Sequence, residues 1–221
     1  MPIILQTPTT YLITNGATTE RTTTPTSDEF TRVLALVERA VAAGITLIQL
    51  REKELPARTL YDLTVRAAQI TAGSATRLLV NDRADVARAA GADGVHLTTR
   101  SLEARIVRRT LGHDFLIGVS THSLAEASAA RNEGADFATF GPIFETPSKR
   151  GYGAPVGLGA LNEAARALAP FPLLALGGIA LGDVHQVLQA GARGVAAIRL
   201  FSDAHDLTDT LRAIEGAALT S

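Results

Sequence analysis

Short apolar runs alternate along this chain with longer stretches in which apolar and polar residues recur at helical spacing. Runs of strand length fall at Tyr11–Thr14, Ile45–Leu50, Arg77–Asn81, Gly94–Leu97, Phe115–Ser120, Phe137–Phe140, Leu173–Leu176 and Val195–Leu200. Their apolar character is nearly continuous rather than alternating, which fits strands buried on both faces, as parallel strands under helices must be. The segments between them predict helices. Asp28 before Glu29, Ser101 before Leu102-Glu103 and Ser123 before Leu124 are side chains suited to accept from the first helical amides, and Ser123 with Glu126 matches a capping box. The threonine-rich, apolar-poor stretch Thr18–Ser27 predicts an exposed loop.

An internal echo accompanies the alternation: Ala43-Gly44-Ile45, Ala90-Gly91-Ala92-Asp93-Gly94-Val95, Glu133-Gly134-Ala135-Asp136-Phe137 and Ala190-Gly191-Ala192-Arg193-Gly194-Val195. Each reads as a helix stop feeding a strand, because glycine takes the left-handed conformation after a helix without a Cβ penalty. Four such turns among eight strand-length runs in a 221-residue chain predict a single-domain α/β fold over residues 1–221, a closed (β/α)8 TIM barrel, with an open doubly wound sheet as the competitor. No Gly-x-Gly-x-x-Gly follows the first strand, which weakens that competitor.

Composition narrows the partners. Lys plus Arg number 21 against 22 Asp plus Glu, so bulk charge holds this protein to neither nucleic acid nor anionic lipid, and phosphate recognition must be local. The absence of cysteine excludes disulfides, thiolate metal sites and a cysteine nucleophile, with the cytoplasm the expected compartment. Met1-Pro2-Ile3-Ile4-Leu5 lacks a basic leader region, and no run approaches the roughly 18–20 apolar residues a membrane span needs. The expected partners are small phosphorylated substrates, with a homo-oligomer left open.

In a closed barrel the chemistry gathers just past each strand. Those positions are polar here: Asn15, Arg51-Glu52-Lys53, Asn81-Asp82-Arg83, Thr98-Thr99, Thr121-His122, the loop from Gly141 to Gly157, Gly177-Gly178 and Arg199. Gly177-Gly178 after Leu176 reads either as a tight turn or as backbone approaching a phosphate. Arg51 and Lys53 suit an anionic substrate, although the triplet with Glu52 also reads as an ordinary solvated cluster. Asn81-Asp82 offers oxygen ligands for Mg2+, with helix capping the plainer role for Asp82. Arg199 reads as an interior cation facing a ligand or as a strand-end residue pairing with a carboxylate. Among five histidines, His122 is the leading acid/base candidate, whereas His96 interrupts a strand and reads as a satisfied core residue. The glycine-rich, basic loop through Lys149 and Gly153 reads as a lid over an anion or as an unstructured insertion.

Taken together these motifs resemble the thiamine-phosphate synthase/TenI family from Tyr11 to about Leu207. The resemblance is carried by Tyr11-Leu12-Ile13-Thr14, Gln49-Leu50-Arg51-Glu52-Lys53, Asn81-Asp82-Arg83, Gly94-Val95-His96-Leu97, Gly118-Val119-Ser120-Thr121-His122, Gly141-Pro142-Ile143-Phe144 with Thr146 and Lys149, and Ala175-Leu176-Gly177-Gly178-Ile179, in the family's order. It implies condensation of a hydroxymethylpyrimidine diphosphate with a thiazole phosphate to thiamine phosphate and diphosphate. It further implies that Arg51, Lys53, Asn81 and Lys149 hold the diphosphate, Asp82 binds Mg2+, Ser120 faces the pyrimidine, and Thr146 with Gly178 holds the thiazole phosphate; Gln49, Gly177 and Arg199 join the expected substrate-binding set. Two departures stand out. Ser101 replaces the family's second metal-binding carboxylate, and Arg199 replaces its phosphate-binding serine. They leave room for a TenI-like thiazole tautomerase working through His122, or for a ligand-binding relative without turnover.

Overall fold

The structure, a computed structural model, describes residues 7–146 and 154–219. Eight strands, β1 (Thr9–Ile13), β2 (Leu47–Leu50), β3 (Arg77–Asn81), β4 (Gly94–Leu97), β5 (Leu116–Thr121), β6 (Phe137–Phe140), β7 (Leu173–Leu176) and β8 (Gly194–Ala197), are hydrogen-bonded in chain order, and β1 pairs with β8 to close the barrel. Every pairing is parallel, so all eight strand ends open on one mouth. The covering helices are α1 (Asp28–Ala43), α2 (Ala57–Thr71), α3 (Ala84–Ala89), α4 (Ala104–Leu111), α5 (Leu124–Asn132), α6 (Gly157–Leu168) and α7 (Val184–Gln189), followed by a one-turn α8 (Arg199–Ser202) and by α9 (Leu207–Leu219).

The echoed turns have a mechanical role at the end of the barrel opposite the mouth. Asp93 accepts from the Leu78 amide at 2.8 Å and Asp136 accepts from the Ile117 amide at 2.7 Å, so the residue entering one strand latches the backbone of the strand before it. Thr46 repeats the device with its hydroxyl against the Thr10 amide at 3.3 Å. Arg108 reinforces one latch, pairing with Asp136 at 2.6 Å while donating to the carbonyls of Gly134, Gly112 and Phe115.

Alternation along the strands sorts their side chains into two cores. Leu12, Ile48, Val80 and Ala138 face the helices, whereas Tyr11, Leu47, Leu79, Leu116, Phe137 and Leu174 fill the barrel. Inside, the Tyr11, His96 and Phe137 rings pack with centroids 5.5–5.9 Å apart, the Tyr11–Phe137 pair edge to face. Gly118 makes room for this trio. A Cβ there would stand 2.4 Å from Phe137 and 2.7 Å from the His96 ring, distances no methyl group tolerates.

Three expectations shift in detail. The first helix is capped by Ser27, one residue before Asp28, through the Phe30 amide at 3.4 Å. The α4 helix begins at Ala104, too late for Ser101 to cap it. The last apolar run stops being strand at Ala197, because Ile198 adopts helical backbone angles and turns the chain into α8. Arg199 is therefore an exposed residue opening that helix, not an interior cation of the barrel.

Candidate active site at the barrel mouth

The β1 and β2 loops are tied together by a buried carboxylate. Glu52, only 2% exposed, accepts from the Thr14 hydroxyl and from both the hydroxyl and the amide of Thr18. Thr14 in turn accepts from the Arg51 amide at 2.8 Å, so the clasp sets where the Arg51 backbone lies. Gly16, at φ 71°, lets the loop lie against Arg51: a Cβ there would stand 3.0 Å from the Arg51 carbonyl and 3.4 Å from a guanidinium nitrogen. Within the Arg51-Glu52-Lys53 triplet the middle charge thus turns inward as a brace, while Arg51 is partly exposed and Lys53 exposed at the mouth. Thr18 and Thr23, both 2% exposed, also depart from the exposed loop expected over Thr18–Ser27.

Below the mouth a line of polar side chains crosses the barrel. Gln49 donates its amide nitrogen to the Tyr11 hydroxyl at 2.8 Å, that hydroxyl lies 3.1 Å from His96 Nδ1, and His96 Nε2 lies 3.0 Å from Ser120 Oγ. Gln49, Tyr11 and His96 are buried, and Ser120 alone reaches partway to the surface. Burial holds the His96 pKa down at about 3 and pushes the Tyr11 phenol upward, against a smaller lowering by the Gln49 hydrogen bond, so both are neutral near neutral pH. His96 is a satisfied core histidine, as expected, but its partner is the serine at the mouth. Gln49 spends its amide nitrogen on Tyr11.

On the far wall, His122 uses Nδ1 against the Gly141 carbonyl. A carbonyl only accepts, so Nδ1 carries the proton and the neutral ring keeps its lone pair on Nε2. Glu126 holds the same residue from below, accepting from the His122 amide at 2.7 Å, while Ser123 caps α5 through the Glu126 amide at 3.2 Å. Next to it, the β6 and β7 loops continue the ladder beyond the strands: Ile143 donates to the Leu176 carbonyl at 2.9 Å and Phe144 to the Gly177 carbonyl at 3.0 Å. Both expected glycines are required there. Gly177 and Gly178 have φ of 100° and 70°, and a Cβ on either would come within 2.6 Å of Pro142 or 2.5 Å of the Glu145 carbonyl.

Asn81 ends β3 with its register partner His96 on β4, and Asp82 follows in the left-handed region at φ 64°, its amide bonded to the His96 carbonyl at 2.9 Å. Aspartate tolerates that conformation better than most residues, and its carboxylate stands exposed at the mouth. Ser101 accepts from the Thr98 amide at 2.7 Å and lies 3.1 Å from the Thr98 hydroxyl, holding the turn after β4. Among the described residues no three of His, Asp and Glu gather into a metal cage. A Mg2+ ion that keeps waters and substrate phosphate oxygens needs one or two carboxylates, and Asp82 suits that role alone. A cavity of about 200 Å3 lies beside this turn, between the ends of β4 and β5 and the α5 helix, lined by Thr98, Ser101, Ser120 and Thr121 together with Ala129 and Ala130. Thr146 lies partly buried at the end of the described β6 loop, and Lys149 falls outside the described residues.

Sequence reasoning missed Tyr11 as a site residue and Glu52 as a brace. The period of two held the signal for the first, since Tyr11, Gln49, His96 and Ser120 are polar groups at inward positions of otherwise apolar strands.

The Thiamine monophosphate synthase family model matches residues 21–201. The thiamine-phosphate synthase of Anaeromyxobacter dehalogenans is 46% identical over 173 residues, 78% of this chain and 77% of that protein. That of Methanoculleus marisnigri is 44% identical over 179 residues, 81% of this chain and 84% of that protein. The solved structure of thiamine phosphate pyrophosphorylase from Pyrococcus furiosus superposes with a TM-score of 0.78 at 28% identity, covering 96% of each chain. On this evidence the chain belongs to the thiamine monophosphate synthase family.

Proposed function

We propose that this protein is a thiamine-phosphate synthase, a transferase that joins hydroxymethylpyrimidine diphosphate to thiazole phosphate and releases diphosphate. In the reaction the methylene–oxygen bond breaks with its electron pair leaving on diphosphate. The thiazole nitrogen supplies the pair for the new carbon–nitrogen bond, and the positive charge ends on the thiazolium ring. Because the transient cation and the departing diphosphate carry opposite charge, the protein's task is to clamp the anion and orient the two rings.

One observation carries the assignment of the anion end. Leu50 and Val80 are register partners on β2 and β3, so Arg51 and Asn81 leave the barrel side by side, with Asp82 next in line. Arg51, Lys53, Asn81 and Lys149 hold the diphosphate in this reading, and Thr146 with Gly177 and Gly178 receives the thiazole phosphate. Asp82 would hold Mg2+, which when bound neutralises charge on the leaving diphosphate. Ser120 faces the pyrimidine. The charge of both substrates confines them within the cell, which makes the cytoplasm the working compartment.

A second reading, thiazole tautomerase, is favoured by His122, whose pinned Nδ1 leaves Nε2 ready to accept a proton. Incubating the protein with both substrates and Mg2+, and separately with the thiazole carboxylate phosphate alone, decides between them. Thiamine phosphate formation that survives His122→Ala supports the synthase. Isomerisation abolished in His122→Ala, without condensation, overturns it in favour of the tautomerase, and saturable binding without product overturns both.

A further inference from the structure

The four polar groups under the mouth form a chain in which each donor and acceptor dictates the next. Gln49 Nε2 can only donate, so at 2.8 Å the Tyr11 oxygen accepts. The phenol has one proton, and His96 Nδ1 at 3.1 Å is the partner left to take it. A nitrogen that accepts carries no hydrogen, so the neutral imidazole bears its proton on Nε2 and donates it to Ser120 Oγ at 3.0 Å. Ser120 Oγ has no other hydrogen bond among the described residues, and its own proton is left for the mouth, toward which the residue is partly exposed.

We propose that Tyr11 is a positioning residue that, held by Gln49, fixes the His96 tautomer and thereby makes the Ser120 hydroxyl a hydrogen-bond donor to the substrate. The group Ser120 meets must then be an acceptor. In the synthase reading, on which only this last identification rests, it is a ring nitrogen of the pyrimidine; a ring N–H in that place would face a second donor. Turning the Gln49 amide would reverse every link and present an acceptor instead, so the polarity of the substrate contact is decided three residues away. Burial of His96 between the Tyr11 and Phe137 rings keeps the imidazole neutral, which the single-proton logic requires.

The full-length protein labelled with 15N-histidine, free of substrate, tests this directly. The His96 signals, assigned through a His96→Gln variant, are expected to show a pyrrole-type Nε2 and a pyridine-type Nδ1. In Tyr11→Phe both nitrogens are expected to move toward intermediate shifts as the second tautomer becomes populated. A protonated Nδ1 in the parent protein, or a tautomer unmoved by Tyr11→Phe, overturns the proposal; if the variant does not fold, the parent spectrum alone decides. In kinetics, Tyr11→Phe is expected to lower kcat/KM for the pyrimidine diphosphate about tenfold, the scale of one lost hydrogen bond, with KM for the thiazole phosphate unchanged. Adding Tyr11→Phe to Ser120→Ala is expected to cost nothing further, and additive losses overturn the coupling. Absence of thiamine phosphate formation by the parent protein would sink the synthase reading while leaving the tautomer result standing.

Discussion

Thr14, one residue past β1, donates its hydroxyl to the carboxylate of Glu52, two residues past β2, and that carboxylate is almost wholly buried. The pair fastens two neighbouring mouth loops to each other, and the Arg51 amide hangs from the same Thr14 hydroxyl at 2.8 Å.

Glu52→Gln should therefore both loosen the fold and misplace Arg51. An amide oxygen replaces only one of two accepting oxygens, so the NH2 group either sets a donor against the Thr18 amide or leaves the Thr14 hydroxyl without its acceptor. The expected loss is about 2 kcal/mol in urea unfolding, typical of a hydrogen bond to a buried charge. A rise in KM for the diphosphate substrate, measured on folded protein, should accompany it. Unchanged stability would show that the clasp is dispensable.

Stability should fall as pH drops below about 6.5, in part through His96, whose pKa is depressed from 6.5 to about 3 by burial. Above 6.5 the imidazole is neutral in both folded and unfolded chains and contributes no slope. Below it the unfolded chain takes up a proton that the folded protein refuses, so folding loses up to about 1.4 kcal/mol per pH unit until the folded pKa is reached. Unfolding free energies at about pH 7 and pH 5 should diverge less in His96→Gln than in the parent protein, and equal slopes would refute the assignment.

Thr139 is 1% exposed, and its hydroxyl has no hydrogen-bond partner among the described residues. An unpaired buried hydroxyl costs about 1–3 kcal/mol, whereas valine keeps the shape without the polar atom. Thr139→Val is expected to raise Tm with steady-state kinetics unchanged. A lower Tm would mean the hydroxyl has a partner, most simply a buried water.

Ser101→Asp restores an acidic side chain at the turn after β4, where the serine now holds the Thr98 amide at 2.7 Å. A second carboxylate should lower the Mg2+ concentration for half-maximal condensation, and Mg2+ titration by calorimetry in the presence of diphosphate should show tighter binding. No change in either would place residue 101 outside the metal's reach.

Strand and helix boundaries were legible where the cues were local. The runs at Arg77–Asn81, Gly94–Leu97, Phe137–Phe140 and Leu173–Leu176 are strands over those same residues, and Ser123 caps the helix it was expected to cap. The end of the last strand was not legible, because an apolar run continuing to Leu200 carries no mark of the backbone turn at Ile198 that takes Arg199 out of the barrel interior. Ser101 has the composition of a helix cap, but the helix starts later and the hydroxyl serves the turn instead.

By itself, the order of residues determined the alternation of parallel strands with helices and the polar character of the strand ends, because periodicity, caps and glycine stops act within a few residues of one another. Closure into a barrel rather than an open sheet came from the pairing of β1 with β8. It marked Arg51, Asp82, Ser120 and His122 as strand-end groups without saying what each would touch. Only the closed barrel decided that Glu52 is a brace and that Tyr11, 85 positions before His96, is its hydrogen-bond partner. The orientation of a buried polar group depends on which remote donors and acceptors surround it, and strand closure alone brings those together.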